Sequence, residues 1–209
     1  MRRLFRFSIV SLIIIGSFMM ISGLVFAEGT WTLTDQGCKV WNPNPRPNEA
    51  ITWSGGMDAN SYATGQGVLQ WFNDGKLIFK YEGDMLNGKE TGKGIGVWAN
   101  GDRYEGDYVG DKMTGKGIYS WAKGGRYEGE FIDGHRTGKG IYTWSNGDRY
   151  EGDFIDGHRT GKATQTWANG NHYDGDFVND QISGYGTYYN RDGSIWRKGR
   201  WSNDQYIGP

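Results

Sequence analysis

Apolar and polar residues alternate with a period of two through the stretch that begins at Tyr127. Tyr127, Gly129 and Phe131 fall on one side of this alternation, whereas Glu128 and Glu130 fall on the other. After the turn sequence IDGHRT, glycine and aromatic residues again share one side, and mostly polar residues share the other. A period of two is typical of β-strands. The stretch therefore predicts a β-hairpin with one face of aromatic residues and glycine and one mostly polar face.

The same pattern recurs every 23 residues, each time after the sequence Tyr-Glu-Gly-Asp or a close variant of it. The tyrosines that open these units are Tyr81, Tyr104, Tyr127, Tyr150 and Tyr173. A fixed period in the range of ~20 to ~50 residues indicates a repeat architecture, in which one supersecondary unit stacks on copies of itself. We therefore predict tandem β-hairpins, each of which stacks on the next.

Each unit ends in a short turn that contains glycine. Five residues separate Trp144 from Tyr150, and a two-residue turn at Asn146-Gly147 would place the two rings on opposite faces. An odd loop or a bulge keeps both rings on the same face, and Gly147 can adopt the positive φ that either one requires. The sequence therefore predicts such a loop or bulge, with a positive φ at Gly147.

The N-terminal residues differ in kind from the rest. Three arginines precede an almost purely apolar run, and the sequence Val25-Phe26-Ala27 offers a cleavage site after residues 1–27, as in a secretory signal peptide. An uncleaved anchor through residues 7–26 is the alternative, because the apolar run approaches the ~20 residues that span a bilayer. Both interpretations predict an exported protein, periplasmic or secreted, that is membrane-anchored in the second case.

The exported part divides into three segments. Residues 28–58 form a leader that we expect to cap the first repeat, and its segment 42–48, in which proline alternates with polar residues, predicts extended chain. Residues 59–196 form the repeat array, which opens with a partial unit, and residues 197–209 form a C-terminal cap. The single cysteine, Cys38, is either a buried free thiol, which we favour, or a partner in an intermolecular disulfide.

The segment 127–149, YEGEFIDGHRTGKGIYTWSNGDR, resembles a MORN repeat, and the resemblance covers about residues 60–196, with five units and a partial one. It implies an all-β fold, an elongated single-layer antiparallel sheet of tandem β-hairpins. MORN repeats usually serve as scaffolds, dimerisation surfaces or membrane-proximal binding modules. The leader is similar to the start of exported bacterial MORN proteins, in which a second cysteine commonly follows Trp-Ser-Gly. Here Met57 stands in the corresponding region, which argues against a leader disulfide.

The charge balance excludes one class of partner. The chain has 23 lysines and arginines and 24 acids, and removal of residues 1–27 takes away three arginines and no acid, which leaves 20 against 24 and a net charge of −4. Nucleic-acid binding depends on the neutralisation of phosphates by lysine and arginine. We therefore expect no nucleic-acid partner.

The repeats also supply charged residues that recur at fixed positions. The acids after each opening tyrosine recur with lysines and arginines, so we interpret them as solvated ion pairs rather than as catalytic carboxylates. His135 and His158 occupy equivalent turn positions, and a metal site needs three or four converging ligands. The sequence shows no non-repeating set of chemical residues. We therefore predict a protein that is not an enzyme, with no catalytic residue, no metal site and no cofactor.

The aromatic face allows two interpretations. Its residues are Tyr81, Trp98, Tyr104, Trp121, Tyr127, Tyr142, Trp144, Tyr150, Trp167 and Tyr173. In the first interpretation, the rings stack on one another as the core of the sheet. In the second, part of the face stays accessible as a binding platform, because a single-layer sheet cannot cover both of its faces. We expect a protein scaffold that binds a protein partner or self-associates, with binding of an envelope lipid or glycan through this face as the alternative.

Overall fold

The computed structural model describes residues 29–209, and the predicted signal peptide or anchor lies outside the described residues. The described part contains seventeen strands. They are β1 (Thr30–Leu33), β2 (Lys39–Asn42), β3 (Glu49–Trp53), β4 (Gly56–Met57), β5 (Ala63–Asn73), β6 (Lys76–Leu86), β7 (Lys89–Trp98), β8 (Arg103–Val109), β9 (Lys112–Ser120), β10 (Arg126–Ile132), β11 (His135–Thr143), β12 (Arg149–Ile155), β13 (His158–Thr166), β14 (His172–Val178), β15 (Gln181–Tyr189), β16 (Ile195–Ser202) and β17 (Gln205–Gly208). Between residues 29 and 209, no helix has the length and the apolar character to cross a membrane.

Fifteen strands form one antiparallel sheet, in which hairpin follows hairpin in a single row. The order runs from β17 back to β5 and ends at β3, while β4 pairs with β5 outside the row. Strands β1 and β2 form a separate pair. At ~4.8 Å per strand the row is ~60 Å long. The prediction of an elongated single-layer sheet of tandem hairpins is confirmed.

The two ends of each hairpin carry different turns. Strands β10 and β11 are joined by the two-residue turn Asp133-Gly134, in which both residues have a positive φ, of 49° and 85°. Such a pair of positive φ values is typical of the tight hairpin turns that Asp-Gly favours. At the opposite end, Trp144 and Asp148 close a five-residue loop, in which the N–H of Trp144 donates to the carbonyl of Asp148 at 2.8 Å. Gly147 has a φ of 92° there, which confirms the predicted odd loop.

Each hairpin of the repeat array is bent by a bulge at its centre. Gly129 on β10 pairs with Gly140 on β11, but the next residue, Glu130, pairs with Thr137. Two residues of β11 therefore lack a partner on β10, and the first of them, Gly138, has a φ of 56°. A positive φ at a bulge favours glycine, because other residues are strained there. The Thr-Gly-Lys sequence of the first four units, and Ser183-Gly184-Tyr185 in the fifth, thus form the bulge.

The leader packs on the first hairpin. Strand β3 pairs with β5, and the N–H of Trp41 donates to the carbonyl of Gly88 at 2.9 Å. The segment 42–48 is not extended as predicted. It bends, since the side chain of Asn42 accepts a hydrogen bond from the N–H of Asn44 at 3.0 Å, and such local side-chain bonds compete with extended structure. The proline-containing segment therefore lies close to the sheet.

The only cysteine of the chain lies in this leader. Cys38 is buried as a free thiol, and its N–H donates to Oγ1 of Thr34 at 3.0 Å. Met57, at the position where the resemblance led us to look for a second cysteine, is exposed. The predicted burial of Cys38 is confirmed, and burial favours the free thiol over an intermolecular disulfide.

At the other end of the sheet, the final strands repeat the pattern of the array with different residues. Strand β16 begins at Ile195, so the predicted boundary between array and cap falls inside a strand. Arg197 pairs with Tyr188 at the position that tyrosine holds in the earlier units. Trp201 is buried against Tyr173, with ring centroids 5.5 Å apart. These residues cover the last repeat.

Candidate functional site

Five tyrosines form a buried layer on the aromatic face, which we call the tyrosine layer. They are Tyr81, Tyr104, Tyr127, Tyr150 and Tyr173. Four of the rings lie across glycines of two strands, so that a Cβ on either Gly129 or Gly140 would overlap the ring of Tyr127, whereas Ala163 replaces the second glycine beside Tyr150. All five residues are 0% exposed, so they cannot touch a ligand. Their assignment to an accessible binding face is therefore corrected, because the paired glycines let the rings sink into the sheet.

The tyrosine hydroxyls satisfy the backbone of the bulges. The hydroxyl of Tyr127 lies 3.1 Å from the carbonyl oxygen of Glu130 and 3.3 Å from that of Thr137, and it donates to these two acceptors. Burial raises the pKa of Tyr127 to about 12, so the hydroxyl keeps its proton at neutral pH. The hydroxyls of Tyr81 and Tyr150 donate to the equivalent pair of carbonyls in their own units. The tyrosine layer therefore stabilises the bend of each hairpin.

A second row of rings lies beside the tyrosine layer and is only half-buried, and we call it the outer aromatic row. Its members are Phe79, Trp98, Tyr119, Trp121, Tyr142, Trp144, Trp167 and Tyr188. From Phe79 to Trp144, consecutive ring centroids are 4.5 to 5.7 Å apart. The other five predicted face residues all belong to this row, which retains exposed ring surface. Gln165 interrupts the row, since it stands where other units have tyrosine.

Two arginines insert their guanidinium groups among these rings. Arg136 lies 5.2 to 6.0 Å from the centroids of Trp121, Tyr127, Tyr142 and Phe154. Arg159, one unit further, lies 5.3 to 5.5 Å from those of Trp144, Tyr150 and Phe177. Arg136 also donates to the carbonyl of Gly157 at 2.7 Å, and Arg159 donates to Oδ1 of Asp180 at 3.2 Å. Aromatic rings therefore surround each guanidinium group, and their faces attract a cation.

The first two repeats differ from these two units at the equivalent positions, with Glu90 in the first repeat and Tyr108 and Asp111 in the second. Glu90 stands where the later units have Arg136 and Arg159, and Tyr108 stands where they have phenylalanine. Asp111 occupies the position of Asp180. These three residues form a non-repeating set, which the sequence-based prediction did not include. The departure of Glu90 and Tyr108 from the repeat pattern is the signal that would have found it.

The three residues lie together in the structure. Glu90 is 7% exposed, and its backbone N–H donates to Oδ1 of Asp111 at 2.7 Å. Within residues 29–209, neither Oδ2 of Asp111 nor the hydroxyl of Tyr108 has a hydrogen-bond partner, although both atoms are buried. An unpaired buried polar atom lowers the stability of the fold by about 1–3 kcal/mol, so it usually has a structural or functional explanation.

Burial changes the acidity of both carboxyl groups. It raises the pKa of Glu90 well above its ordinary value, and the charge of Asp111 raises it further. Burial also raises the pKa of Asp111 to about 6, although the hydrogen bond from the backbone of Glu90 and the charge of Lys89 oppose the rise. Perturbed acids of this kind are concentrated at functional sites, although structural clusters also contain them.

The three residues line a cavity of about 370 Å³ between the leader and the first two repeats, which we call the leader cavity. The leader contributes Trp41, Asn42 and Glu49, and the repeats contribute Trp71, Phe79 and Trp98. Nowhere in residues 29–209 do three or more histidine, cysteine or acidic side chains meet in a way that could hold a metal ion. The leader cavity thus combines acids with aromatic walls.

The opposite, polar face of the sheet forms a groove. One part encloses about 1030 Å³ and the next about 940 Å³, and Glu128 and Lys139 line both. Isoleucine and glutamate alternate from strand to strand across it, in the order Ile95, Glu105, Ile118, Glu128 and Ile141. The backbone of glycines on adjacent strands lines its floor. The groove therefore offers apolar and charged groups at a regular spacing.

Ion pairs follow this face as the sequence predicts. Arg103 pairs with Glu105 on the same strand at 2.6 Å, and Lys139 pairs with Asp153 across strands at 2.7 Å. Most of these side chains are more than a third exposed, so each pair contributes about 0–1 kcal/mol at most. His158 is an exposed turn residue that pairs with one carboxylate at 2.6 Å. Nothing in these pairs requires a catalytic interpretation.

Comparison with known proteins agrees with the repeat geometry. No curated protein gives a match to the chain. A solved structure, the SAS-4 (dCPAP) TCP domain in complex with a proline-rich motif of Ana2 (dSTIL) of Drosophila melanogaster, is 14% identical and covers 90% of this chain and 97% of its own, with a TM-score of 0.41. That score is too low for the likeness to bear on the fold or the function.

The family model of the MORN repeat matches residues 81–103, 104–126, 127–149, 150–172 and 173–195, which is more than half of the chain. The chain therefore belongs to the MORN repeat family.

Proposed function

We propose that this protein is a non-catalytic scaffold that binds an elongated segment of a protein partner in the groove of its polar face. MORN repeats generally mediate protein or membrane interactions and are generally non-catalytic. The observation that carries the proposal is the groove itself, which extends along the array in two adjoining parts of about 1030 and 940 Å³. The tyrosine layer on the opposite face is buried and cannot serve this purpose.

The spacing of the apolar side chains in the groove favours one kind of segment. Ile95, Ile118 and Ile141 each lie two strands apart, which is ~10 Å in a sheet. Residues seven positions apart on an α-helix are separated by ~10.5 Å along its axis. A partner helix with apolar residues every seven positions would therefore place one of them beside each isoleucine. Helix-in-groove binding of this kind is a recurring mode of recognition.

The charged residues of the groove add selectivity. Glu105 and Glu128 stand between the isoleucines, while Lys116 and Lys139 line the same walls. A partner with basic residues beside its apolar positions would meet the glutamates, and an acidic residue would meet a lysine. Such complementarity mainly determines which partner binds and how fast it associates.

Site-specific photocrosslinking tests the proposal. A photoreactive residue at Ile118 would lie in the groove, one at Trp121 in the outer aromatic row, and one at Ile132 at an exposed turn. We expect one defined protein to crosslink from Ile118 and not from Ile132. After purification of that partner, Ile118→Arg should abolish binding, whereas the matched change Ile132→Arg should leave it intact.

Two results would contradict the binding of a protein partner in the groove. Crosslinks that arise from Trp121 but not from Ile118 would move the binding surface to the outer aromatic row. A crosslink from Ile118 to a second copy of the chain, together with a dimer in sedimentation experiments, would make the partner the protein itself.

Binding of an envelope lipid or glycan is the second candidate, and the outer aromatic row favours it. Its rings retain exposed surface and follow one another at 4.5 to 5.7 Å from Phe79 to Trp144. Aromatic faces of this kind suit sugar rings and acyl chains. Quenching of tryptophan fluorescence by vesicles or envelope glycans, lost in Trp121→Ala and kept in Ile118→Arg, would support this candidate over the groove.

We also propose that the protein is exported to the periplasm or the medium. The basic start, the apolar run and the cleavage sequence before residue 28 support export. Fractionation of cells that express the tagged chain tests this, and the N-terminus of the exported form distinguishes a cleaved signal from an anchor. Recovery of the whole chain in the cytoplasm would refute it.

A further inference from the structure

We propose that the leader cavity is a binding site for a guanidinium cation, either a free molecule or an arginine side chain of a partner, held by Glu90, Asp111 and Tyr108. The cavity measures about 370 Å³, and it contains aromatic-face residues such as Phe79 and Trp98, so it is separate from the groove on the polar face. Ligand cavities commonly start at about 300 Å³.

The later repeats show what this position holds when it is filled. The backbone N–H of Arg159 donates to Oδ1 of Asp180 at 2.9 Å, and that of Glu90 donates to Oδ1 of Asp111 at 2.7 Å, so the two sites share the same frame. In the later unit, the guanidinium of Arg159 also donates to Asp180. Among residues 29–209, no arginine takes the place of Arg159 at this position, which Glu90 holds. The second repeat therefore supplies the carboxylate acceptor, but the first repeat supplies an acid in place of the cation.

Two buried atoms lack the partners that a guanidinium would supply. Among the described residues, Oδ2 of Asp111 and the hydroxyl of Tyr108 accept and donate no hydrogen bond. Tyr108 is 2% exposed, so its hydroxyl is shielded from bulk solvent. A guanidinium carries five N–H donors in one plane and no acceptor. It can donate to both of these oxygens and to the carboxylate of Glu90.

The walls of the cavity suit a flat cation. Rings of Trp41, Trp71 and Trp98 line it, and tryptophan attracts cations most strongly among the aromatic residues. In the later units, rings surround Arg136 at 5.2 to 6.0 Å in the same way. A bound cation would also favour ionised Glu90, whose pKa is raised in the empty cavity.

Other charges near the cavity limit what enters it. Glu49 lines the leader side, but its carboxylate already accepts from the side chain of Asn42 at 2.7 Å and from the N–H of Arg46 at 2.9 Å. Arg46 itself lines the cavity and its side chain is exposed. Lys89 lies with Nζ 5.0 Å from the ring of Trp41. These cations compete weakly with a ligand, so Arg46→Gln should leave binding equal or tighter.

Calorimetric titration of the full chain with arginine amide and with citrulline amide tests the proposal directly. The two probes have nearly the same shape, but citrulline amide carries a neutral ureido group in place of the guanidinium. We expect saturable binding of arginine amide with a Kd below about 1 mM and no detectable binding of citrulline amide. Equal binding of both probes, or binding of neither, would overturn the proposal.

Variants locate the site. Asp111→Asn should weaken the binding of arginine amide at least about tenfold, because a charged hydrogen-bond partner is lost. Asp156→Asn is the matched control, since Asp156 is an exposed turn residue with a φ of 48° and asparagine tolerates such a φ as well as aspartate does. Similar losses in both variants would place the binding elsewhere.

A second variant keeps the test valid if Asp111→Asn folds poorly. Glu90→Arg restores the residue type of the later repeats, so the chain would fill the cavity with its own guanidinium. We expect this variant to melt at a higher temperature and to lose arginine amide binding completely. Retained binding in a folded Glu90→Arg protein would contradict the assignment.

The source of the cation is decided by a further comparison. The peptide acetyl-Gly-Arg-Gly-amide carries the same side chain within a backbone, whereas agmatine is a free small molecule. Tighter binding of the peptide than of agmatine points to an arginine of a partner protein, and the reverse points to a free guanidinium compound. Failure of both to compete with arginine amide would refute the site. These experiments use only the purified chain and small probes, so their outcomes do not depend on whether a protein partner binds in the groove of the polar face.

Discussion

Replacement of Gly129 by alanine should destabilise the protein, because the space of its missing side chain is already filled. A Cβ at this position would overlap the hydroxyl and ring of Tyr127 and would lie 2.7 Å from Cα of Gly140 on the neighbouring strand. The backbone of Gly140 cannot withdraw without opening the ladder between β10 and β11. Tyr127 must move instead.

That movement has a cost that the contacts of Tyr127 define. Its hydroxyl would lose its acceptors on Glu130 and Thr137, and such bonds contribute about 0.5–1.5 kcal/mol. Its ring would also leave the edges of Phe131 and Phe154, whose centroids lie 5.2 and 5.0 Å away. Overpacking of a core typically costs about 1–3 kcal/mol. The change from glycine to alanine also lowers the conformational entropy of the unfolded chain. This favours the folded state and offsets about 0.4–1 kcal/mol of the cost.

We therefore expect Gly129→Ala to lower the free energy of unfolding by about 1–2 kcal/mol, measured by urea titration and circular dichroism. Gly56→Ala is the matched control, because neither glycine has a positive φ and a Cβ on Gly56 would approach only Thr64, at 3.3 Å from its carbonyl oxygen and 3.9 Å from Cγ2. Repeats contact mainly their neighbours, so amide exchange should accelerate most in β10 and β11. Equal stability of the two alanine variants would refute the fit between glycine and tyrosine.

Three further predictions follow from single contacts. Tyr150→Phe removes the hydroxyl that donates to Asp153 at 2.9 Å and Thr160 at 3.1 Å, and it should cost about 0.5–1.5 kcal/mol in urea titration. Because the folded pKa of Asp111 is raised to about 6, the folded protein binds its proton more tightly than the unfolded chain, so this group makes stability fall as the pH rises from about 4 to about 6, by at most about 3 kcal/mol. Asp111→Asn should lose less stability than the parent between pH 4 and pH 7.5, and an identical loss would contradict the burial of this carboxyl group. Glu128→Ala removes only an exposed pair with an arginine, with 45% and 52% of the two side chains exposed, so a change above about 1 kcal/mol would show that the pair has another role.

The amino-acid sequence alone determines the hairpin, its faces and its repetition. A period of two places Tyr127 and Gly129 on one face whatever surrounds them, and the spacing of Trp144 and Tyr150 requires the odd loop that the structure contains. The period of 23 residues then requires copies that stack. These features depend on residues that are close in the chain, so they are readable without the fold. The leader segment 42–48 is the exception, since side-chain hydrogen bonds bend it.

The tertiary structure alone decides which aromatic residues remain accessible. Tyr127 and Tyr142 have the same residue type and lie opposite each other, yet Tyr127 is fully buried and Tyr142 is not. The difference arises because the ring of Tyr127 lies over glycines of two strands, and its hydroxyl reaches the carbonyls that the bulge frees.

The leader cavity also depends on the assembled sheet. Glu90 and Asp111 are 21 residues apart, and only the stacking of one hairpin on the next brings the backbone of the first onto the carboxylate of the second. The sequence contains a trace of this, since Glu90 replaces the arginine of later units. This substitution can be interpreted only with the fold, because burial and the loss of hydrogen-bond partners arise only when distant parts of the chain exclude water together.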